Sequence, residues 1–411
     1  MSFLEVNNSL CVEGVPLLDI ARDYGTPAYV YSSSQIIKNF DNYFSSIRKD
    51  DKICFSVKSN SNIHILELLA NKGSGFDVVS SGELRKCLIA GGKPEDIVFS
   101  GVGKSIEDIE LALKEEIFSI NIESEAELDR IIEIAKKNGA IAQCSFRLNP
   151  DISAGSHPFV ETGGKSSKFG LSKTNALGAA KKAENSGVIK IKGIASHVGS
   201  QISKKEIVIK NLDFLMQTKK DFQEAGIILN NINIGGGLGI SYKGEDQLIP
   251  SDVLKEVVDK LALTNTNLIV EPGRSIVGKA GILLTKLEYL KRTETSNFAI
   301  IDAGMNDLIR PSLYNAWHNI RTIEKSENSN EEFNIVGPIC ESADVMGEKR
   351  GLSLTKDSIL AILDAGAYGH VMSSNYNSRP RPPEILVDDC EVRLIRRRES
   401  FQDLISTQTN L

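Results

Sequence analysis

The sequence predicts an α/β protein, with an N-terminal (β/α)8 TIM-like barrel followed by a C-terminal, mostly antiparallel β domain. Three observations carry that expectation. Short apolar, β-prone runs alternate with amphipathic stretches from about residue 26 to residue 278; there are eight such runs after residue 50; and beyond about residue 280 helical patterns become scarce while β-prone segments continue. Alternation of strand and helix predicts a parallel sheet with its helices outside. Eight units in about 250 residues fit a closed barrel better than an open sheet.

In chain order the runs are Ile53–Val57, Phe76–Val79, Ile97–Phe99, Phe118–Ile122, Cys144–Leu148, Ile191–Ala195, Ile232–Ile234 and Leu268–Val270. Between them lie Glu83–Ala90, Ser105–Lys114, Glu125–Lys137 and Glu206–Ala225, whose apolar residues recur at helical spacing. The later β-prone segments are Gly281–Leu290, Phe298–Asp302, Phe333–Val336, Ile359–Leu363, Glu384–Val387 and Val392–Ile395, punctuated by Gly, Pro and Asn, with a polar loop around 325–332. Leu4–Val6 and Leu10–Val12 also read as strands. The expected division is therefore a barrel over 26–278 and a β domain formed by 1–25 with 279–411.

Composition excludes several classes of function. The chain has 411 residues and a formal charge of −6, whereas a nucleic-acid binder needs a basic surface. Arg393, Arg396, Arg397 and Arg398 cluster near the end, but they alternate with Val392, Leu394 and Ile395 and read as the outer face of a late strand. Six scattered cysteines (Cys11, Cys54, Cys87, Cys144, Cys340, Cys390) form neither a disulfide framework nor a metal-ligand pattern, so no metal is expected. No apolar signal region or membrane-length run is present, and the expected location is the cytoplasm.

The chemistry-bearing residues follow the strands. Lys58 comes after the first run, Ser80-Ser81-Gly82-Glu83 after the second and His197 at the end of the sixth; Gly235-Gly236-Gly237 follow the seventh, and Glu271-Pro272-Gly273-Arg274 the eighth. In such a barrel these strand ends form the mouth where catalysis takes place. A lysine emerging from an apolar strand can form an imine with an aldehyde. Three glycines let backbone N–H groups approach a phosphate, and an arginine adds charge-assisted bonds. A carboxylate at Glu271 would keep a pyridine nitrogen protonated, and His197 can stack on such a ring. Each residue alone has an ordinary structural reading; their shared rim favours the functional one.

With these residues assembled, the sequence resembles the fold-type III pyridoxal-phosphate decarboxylases, and within them the branch that acts on diaminopimelate. The resemblance spans the chain: CFSVKSN, FDVVSSGEL, SFRLNPD, KFGL, HVGSQ, INIGGGLGI, EPGRSIVG, DAGMNDLIRPSLYNAWH, VGPICESADV and DAGAYGHVMSSNYNSRPRPPEILV. It implies pyridoxal 5'-phosphate on Lys58 as a Schiff base. It also implies cofactor contacts from His197, Ser200, Gly235, Gly236, Gly237, Glu271, Gly273, Arg274 and Tyr368. A head-to-tail homodimer with shared active sites follows from the same likeness, with Cys340 as proton donor and Glu341 as substrate contact from the second subunit. Where the family usually reads HIGSQ this chain reads HVGSQ, a loss of one methylene.

The substrate is expected to be a small amino acid with a carboxylate at its far end, because an arginine fork binds a carboxylate bidentately. Arg310 and Tyr314 in NDLIRPSLY, with Arg274 and Tyr368, offer that clamp, and Glu341 suits the distal amine. The implied reaction converts meso-2,6-diaminopimelate to L-lysine and CO2. Carboxynorspermidine decarboxylation is the enzymatic alternative, and a non-catalytic pyridoxal-phosphate-binding relative the non-enzymatic one.

Overall fold

The computed structural model describes residues 3–153, 155, 164, 167–262, 264–324 and 329–409. Part of the expected polar loop, residues 325–328, lies outside them. The chain forms two compact units: 40–240 with 246–275, and 1–39 with 241–245 and 276–411.

The first unit is the closed barrel. Its eight parallel strands are Lys52–Ser56, Gly75–Val78, Ile97–Phe99, Ser119–Ile122, Ala142–Leu148, Ile189–Ser196, Asn231–Asn233 and Asn267–Val270, and the last pairs with the first. Each falls on one of the eight apolar runs. Successive side chains point to opposite faces of a strand, and here the two faces differ in chemistry. Phe146 faces the helices, meeting Phe222 of the helix Lys205–Glu224 at 6.3 Å between ring centroids. Its neighbours Ser145 and Arg147 therefore face the interior. The barrel lumen is polar: Ser119 and Ser145 share a hydrogen bond of 2.8 Å, Asn121 donates to Ser100 Oγ at 3.1 Å, and Arg147 bonds Glu123 at 2.6 Å. A cylinder with a polar lumen can hold a polar ligand at its mouth while the aromatic outer face supplies the hydrophobic burial.

Several of the helices start where the sequence provides caps. Ser105 and Asp108 form a reciprocal capping box at Ile106–Lys114, and Ser124 caps Glu125–Asn138, which ends at Gly139 with φ 62°.

The second unit is built on a nine-stranded sheet in the order Val345–Leu352, Glu331–Val336, Asn297–Ile301, Gly281–Arg292, Ala28–Ser32, Glu384–Asp388, Glu391–Arg396, with Ile320–Thr322 and Ile359–Ile362 attached through Gly281–Arg292. Two of its pairings are parallel, Asn297–Ile301 with Glu331–Val336 and Ala28–Ser32 with Glu384–Asp388; the rest are antiparallel. A three-stranded sheet of Phe3–Val6, Ser9–Val12 and Val15–Pro16 packs Leu10 and Val12 into a core with Val30, Ile282, Leu284, Ile385 and Val387. The run Ala28–Ser32 continues the barrel's β-prone rhythm in sequence but pairs in this sheet. Periodicity identifies a strand; it does not say which sheet accepts it.

Among the described residues, no helix is long and apolar enough to cross a membrane, and no group of three or more His, Cys, Asp or Glu is placed to hold a metal ion.

Candidate active site

Lys58 lies on a single helical turn, Val57–Ser59, directly after the first barrel strand, and Ser59 Oγ closes the turn onto Ser56 O at 2.7 Å. The register of the first two strands sets Ser56 opposite Asp77. That pairing places a fully buried carboxylate beside the lysine, with Asp77 Oδ2 at 3.3 Å from Lys58 Nζ and at 3.0 Å from Ser56 Oγ. Asp77 Oδ1 is buried and accepts no hydrogen bond within the described structure.

Glu271 ends the eighth strand and is buried. Asn233, from the seventh, donates to Glu271 Oε1 at 2.5 Å and accepts the Gly235 N–H at 2.8 Å, so one amide fixes both the carboxylate and the glycine loop. Burial first, and then the Asp77 charge, push Glu271 up to about 8. His197 Nδ1 accepts the Gly236 N–H at 3.3 Å. Burial, with the Lys58 and Arg147 cations nearby, holds its imidazole well below its ordinary value, so it is neutral at physiological pH.

The glycine loop is close-packed against backbone. A Cβ at Gly236 would stand 1.8 Å from Glu271 O, and one at Gly237, where φ is +94°, 2.1 Å from Gly199 O. Only glycine permits that approach. Arg274 Nη2 donates to Ser200 Oγ at 3.0 Å, and Gly273 lies against Ser59, where a Cβ would come within 3.0 Å of Ser59 Oγ. In the barrel unit the structure thus brings together Lys58, His197, Ser200, Gly235, Gly236, Gly237, Glu271, Gly273 and Arg274.

The rim residues after the second strand do something else. Ser80 Oγ accepts the Glu83 N–H at 3.2 Å and Glu83 Oε2 accepts the Val79 N–H at 2.8 Å, which caps the helix Ser81–Ile89. Their polar character is explained by the helix start.

The remaining candidates belong to the β unit. Arg310 opens the short helix Arg310–Tyr314 and is 5% exposed, bonded to His318 and covered by Tyr242. Tyr314 closes that helix. Cys340 and Glu341 are exposed: Cys340 Sγ lies 3.4 Å from Asn377 Oδ1, and Glu341 Oε1 accepts the Tyr376 hydroxyl at 2.5 Å. Tyr368 is half-buried with φ 56°, a left-handed conformation uncommon outside glycine and asparagine.

The sequence matches the family described as pyridoxal-dependent decarboxylase, pyridoxal binding domain, over residues 33–278. It is 43% identical over 417 residues to the diaminopimelate decarboxylase of Haemophilus influenzae, covering 100% of both chains. It is 41% identical over 403 residues to that of Pseudomonas aeruginosa, covering 98% of this chain and 97% of the relative. The fold superposes on the crystal structure of diaminopimelate decarboxylase from M. jannaschii in complex with L-lysine with a TM-score of 0.94, at 35% identity over 100% of this chain and 98% of that one. The Helicobacter pylori enzyme complexed with L-lysine gives 0.91 at 40% identity, over 95% and 98%. The chain belongs to the diaminopimelate decarboxylases, a family of pyridoxal-dependent enzymes.

The barrel site of this decarboxylase fits pyridoxal phosphate on its own chemistry. It combines a lysine amine, a buried carboxylate that retains a proton into the neutral range, a neutral imidazole and a glycine loop packed too tightly for side chains. The sequence reading did not single out Asp77, Asn233, Glu123 with Arg147, or His318. Asp77 stands within the quoted run FDVVSSGEL, and an acid inside an otherwise apolar strand was the available signal. The others become visible only when strand register and loop packing are known.

Glu271 gives a measurable pH signature in the cofactor-free decarboxylase. Its carboxyl is raised from 4.5 to about 8, so between those values the folded state binds more protons than the unfolded state and stability falls as pH rises. Glu271→Gln removes that dependence. The Tm of the variant relative to wild type is expected to climb steadily between about pH 5 and pH 8, read by differential scanning calorimetry without cofactor. A constant difference would contradict the raised carboxyl.

Proposed function

We propose that this chain decarboxylates meso-2,6-diaminopimelate to L-lysine and CO2 with pyridoxal phosphate attached at Lys58. The observation that carries the reading is likeness over nearly the full length to diaminopimelate decarboxylases, two of them solved with L-lysine bound.

Bound pyridoxal phosphate supplies a protonated ring that takes up the electron pair left when the Cα–carboxylate bond breaks. The protein's residues do the rest. Lys58 Nζ would be the attachment point and, as a free amine beside Asp77, a proton carrier. Glu271 would give its proton to the ring nitrogen and, as the carboxylate left behind, hold that nitrogen charged, with Asn233 fixing the carboxylate. His197, held neutral, would cover the ring without adding a competing cation. The N–H groups of the glycine loop, with Ser200, serve the phosphate. Arg310, with Arg274, Tyr314 and Tyr368, takes the distal carboxylate and so orients the bond that breaks. The reaction replaces a carboxylate by hydrogen on one carbon: the electron pair of the broken C–C bond ends in a new C–H bond, whose proton comes from the Cys340 thiol and is replaced there from water.

Cys340 and Glu341 act, in this reading, from the second subunit of a homodimer. Their exposure supports the idea, because a proton donor and an acidic substrate contact function only when covered. All six cysteines are free thiols, which supports a reducing cytoplasm as the location.

The test is CO2 release from diaminopimelate, carboxynorspermidine, ornithine and arginine assayed in parallel. Diaminopimelate is expected to exceed the others in kcat/KM by at least about a hundredfold, because a clamp built for a carboxylate is left unpaired by substrates without one. Equal or faster turnover of another of the four would overturn the assignment.

A further inference from the structure

Arg310 does not reach its buried position alone. Its Nη1 lies 2.6 Å from His318 Nε2, and His318 Nδ1 lies 2.8 Å from Leu363 O. Arg310 is 5% exposed and His318 fully buried. We propose that His318, as the neutral Nδ1–H tautomer, is a positioning residue that fixes Arg310 for the substrate's distal carboxylate, with Tyr242 as the second wall of the same seat. The inference rests on the reading of Arg310 as the distal clamp.

The tautomer follows from the partners. A guanidinium has donors and no lone pair, so at the Arg310 contact the imidazole nitrogen must accept. A backbone carbonyl only accepts, so the nitrogen facing Leu363 must carry the hydrogen. One protonation state satisfies both contacts: hydrogen on Nδ1, none on Nε2. A doubly protonated ring would set N–H against N–H and bury two cations side by side.

Tyr242 braces both groups. The Arg310 guanidinium carbon lies 5.0 Å from the Tyr242 ring centroid, and the ring meets His318 edge-on at 5.4 Å and 76°. This seat sets the plane of the guanidinium through a neutral acceptor and a π-face. Arg310 is thereby oriented without surrendering its positive charge to His318. An acid in the place of His318 would hold the arginine as firmly and neutralise it, which would defeat its use on a carboxylate. An acid that feels the Arg310 charge is Asp364, which follows Leu363; burial pushes its carboxyl up to about 6, with Glu245 adding to the rise and Lys279 and Arg310 opposing it.

The experiment compares His318→Asn and His318→Gln as holoenzymes, by steady-state kinetics on diaminopimelate and by the visible absorption of the bound cofactor. Glutamine reaches as far as Nε2, so its carbonyl can accept from Arg310; asparagine reaches only the Nδ1 position and leaves Arg310 Nη1 without that acceptor. His318→Asn is expected to raise KM about ten- to a hundredfold with kcat within about threefold and the absorption band unchanged, and His318→Gln to restore KM to within about threefold of wild type. Tyr242→Leu removes the second wall without touching either hydrogen bond, and a KM rise of about fivefold is expected. An unchanged KM in His318→Asn, equal losses in both histidine variants, or an unchanged KM in Tyr242→Leu would overturn the proposal. Arg310→Ala separates the two levels. If it leaves KM unchanged, the distal clamp is wrong; if it raises KM while His318→Asn does not, only the positioning role falls.

Discussion

Lys58→Ala is expected to lower kcat by at least about a thousandfold and to abolish the visible absorption of the purified protein, because it removes the proposed attachment point and proton carrier together. The geometry says why no neighbour replaces it. Lys58 Nζ is the amine held 3.3 Å from the buried Asp77 carboxylate, whereas Lys104, a lysine buried in the barrel, is tied to Glu127 at 2.8 Å and to two backbone carbonyls. The loss should come from chemistry and not from unfolding: Lys58 is 39% exposed, so its truncation leaves no cavity in the core. Near-wild-type CO2 release by Lys58→Ala would remove the chemical basis of the account.

Arg147→Met is expected to destabilise the protein by about 3–5 kcal/mol, the cost of leaving one member of a buried ion pair unpaired. Arg147 bonds Glu123 at 2.6 Å inside the barrel, and both are nearly buried. Glu123 also accepts the N–H groups of Gly101 at 3.0 Å and Gly170 at 3.1 Å, so its position ties the third, fourth and fifth strand ends together. Methionine keeps most of the volume and none of the charge. Urea unfolding of wild type and variant measures the difference, and Glu123→Gln added to Arg147→Met should recover part of it, because the uncompensated charge is then gone. A loss below about 1 kcal/mol would mean that the pair is solvated and structurally idle. The same substitution removes one of the cations that keep His197 neutral, so it also reaches the site.

How much of this was legible in the sequence depends on whether the signal is local. The eight barrel strands were, because each is an apolar run bounded by turn residues and followed by a helical stretch. The strand Val345–Leu352 was not, since Glu348, Lys349 and Arg350 interrupt it with charge, the first two exposed and the third partly buried, and dilute the β-prone pattern. Ala28–Ser32 fell inside the expected barrel span of 26–278, and its place in the second sheet is decided by partners more than 240 residues away. The same division runs through the site. Lys58, His197, the three glycines and Glu271 stand at strand ends, where position alone suggests chemistry. Asp77 acquires meaning only when register sets Ser56 against it, and His318 only when the chain folds Leu363 and Tyr242 around it. Conversely, Ser80 and Glu83 carry the local signature of a rim site and serve the helix cap.

The most direct test of the central claim is to reduce the purified holoenzyme with borohydride and map the labelled peptide by mass spectrometry. The account predicts one pyridoxyl-phosphate group per chain, on Lys58 in the sequence SVKSN. Label on another lysine with Lys58 unmodified, or no label in a protein that still decarboxylates diaminopimelate, would contradict it.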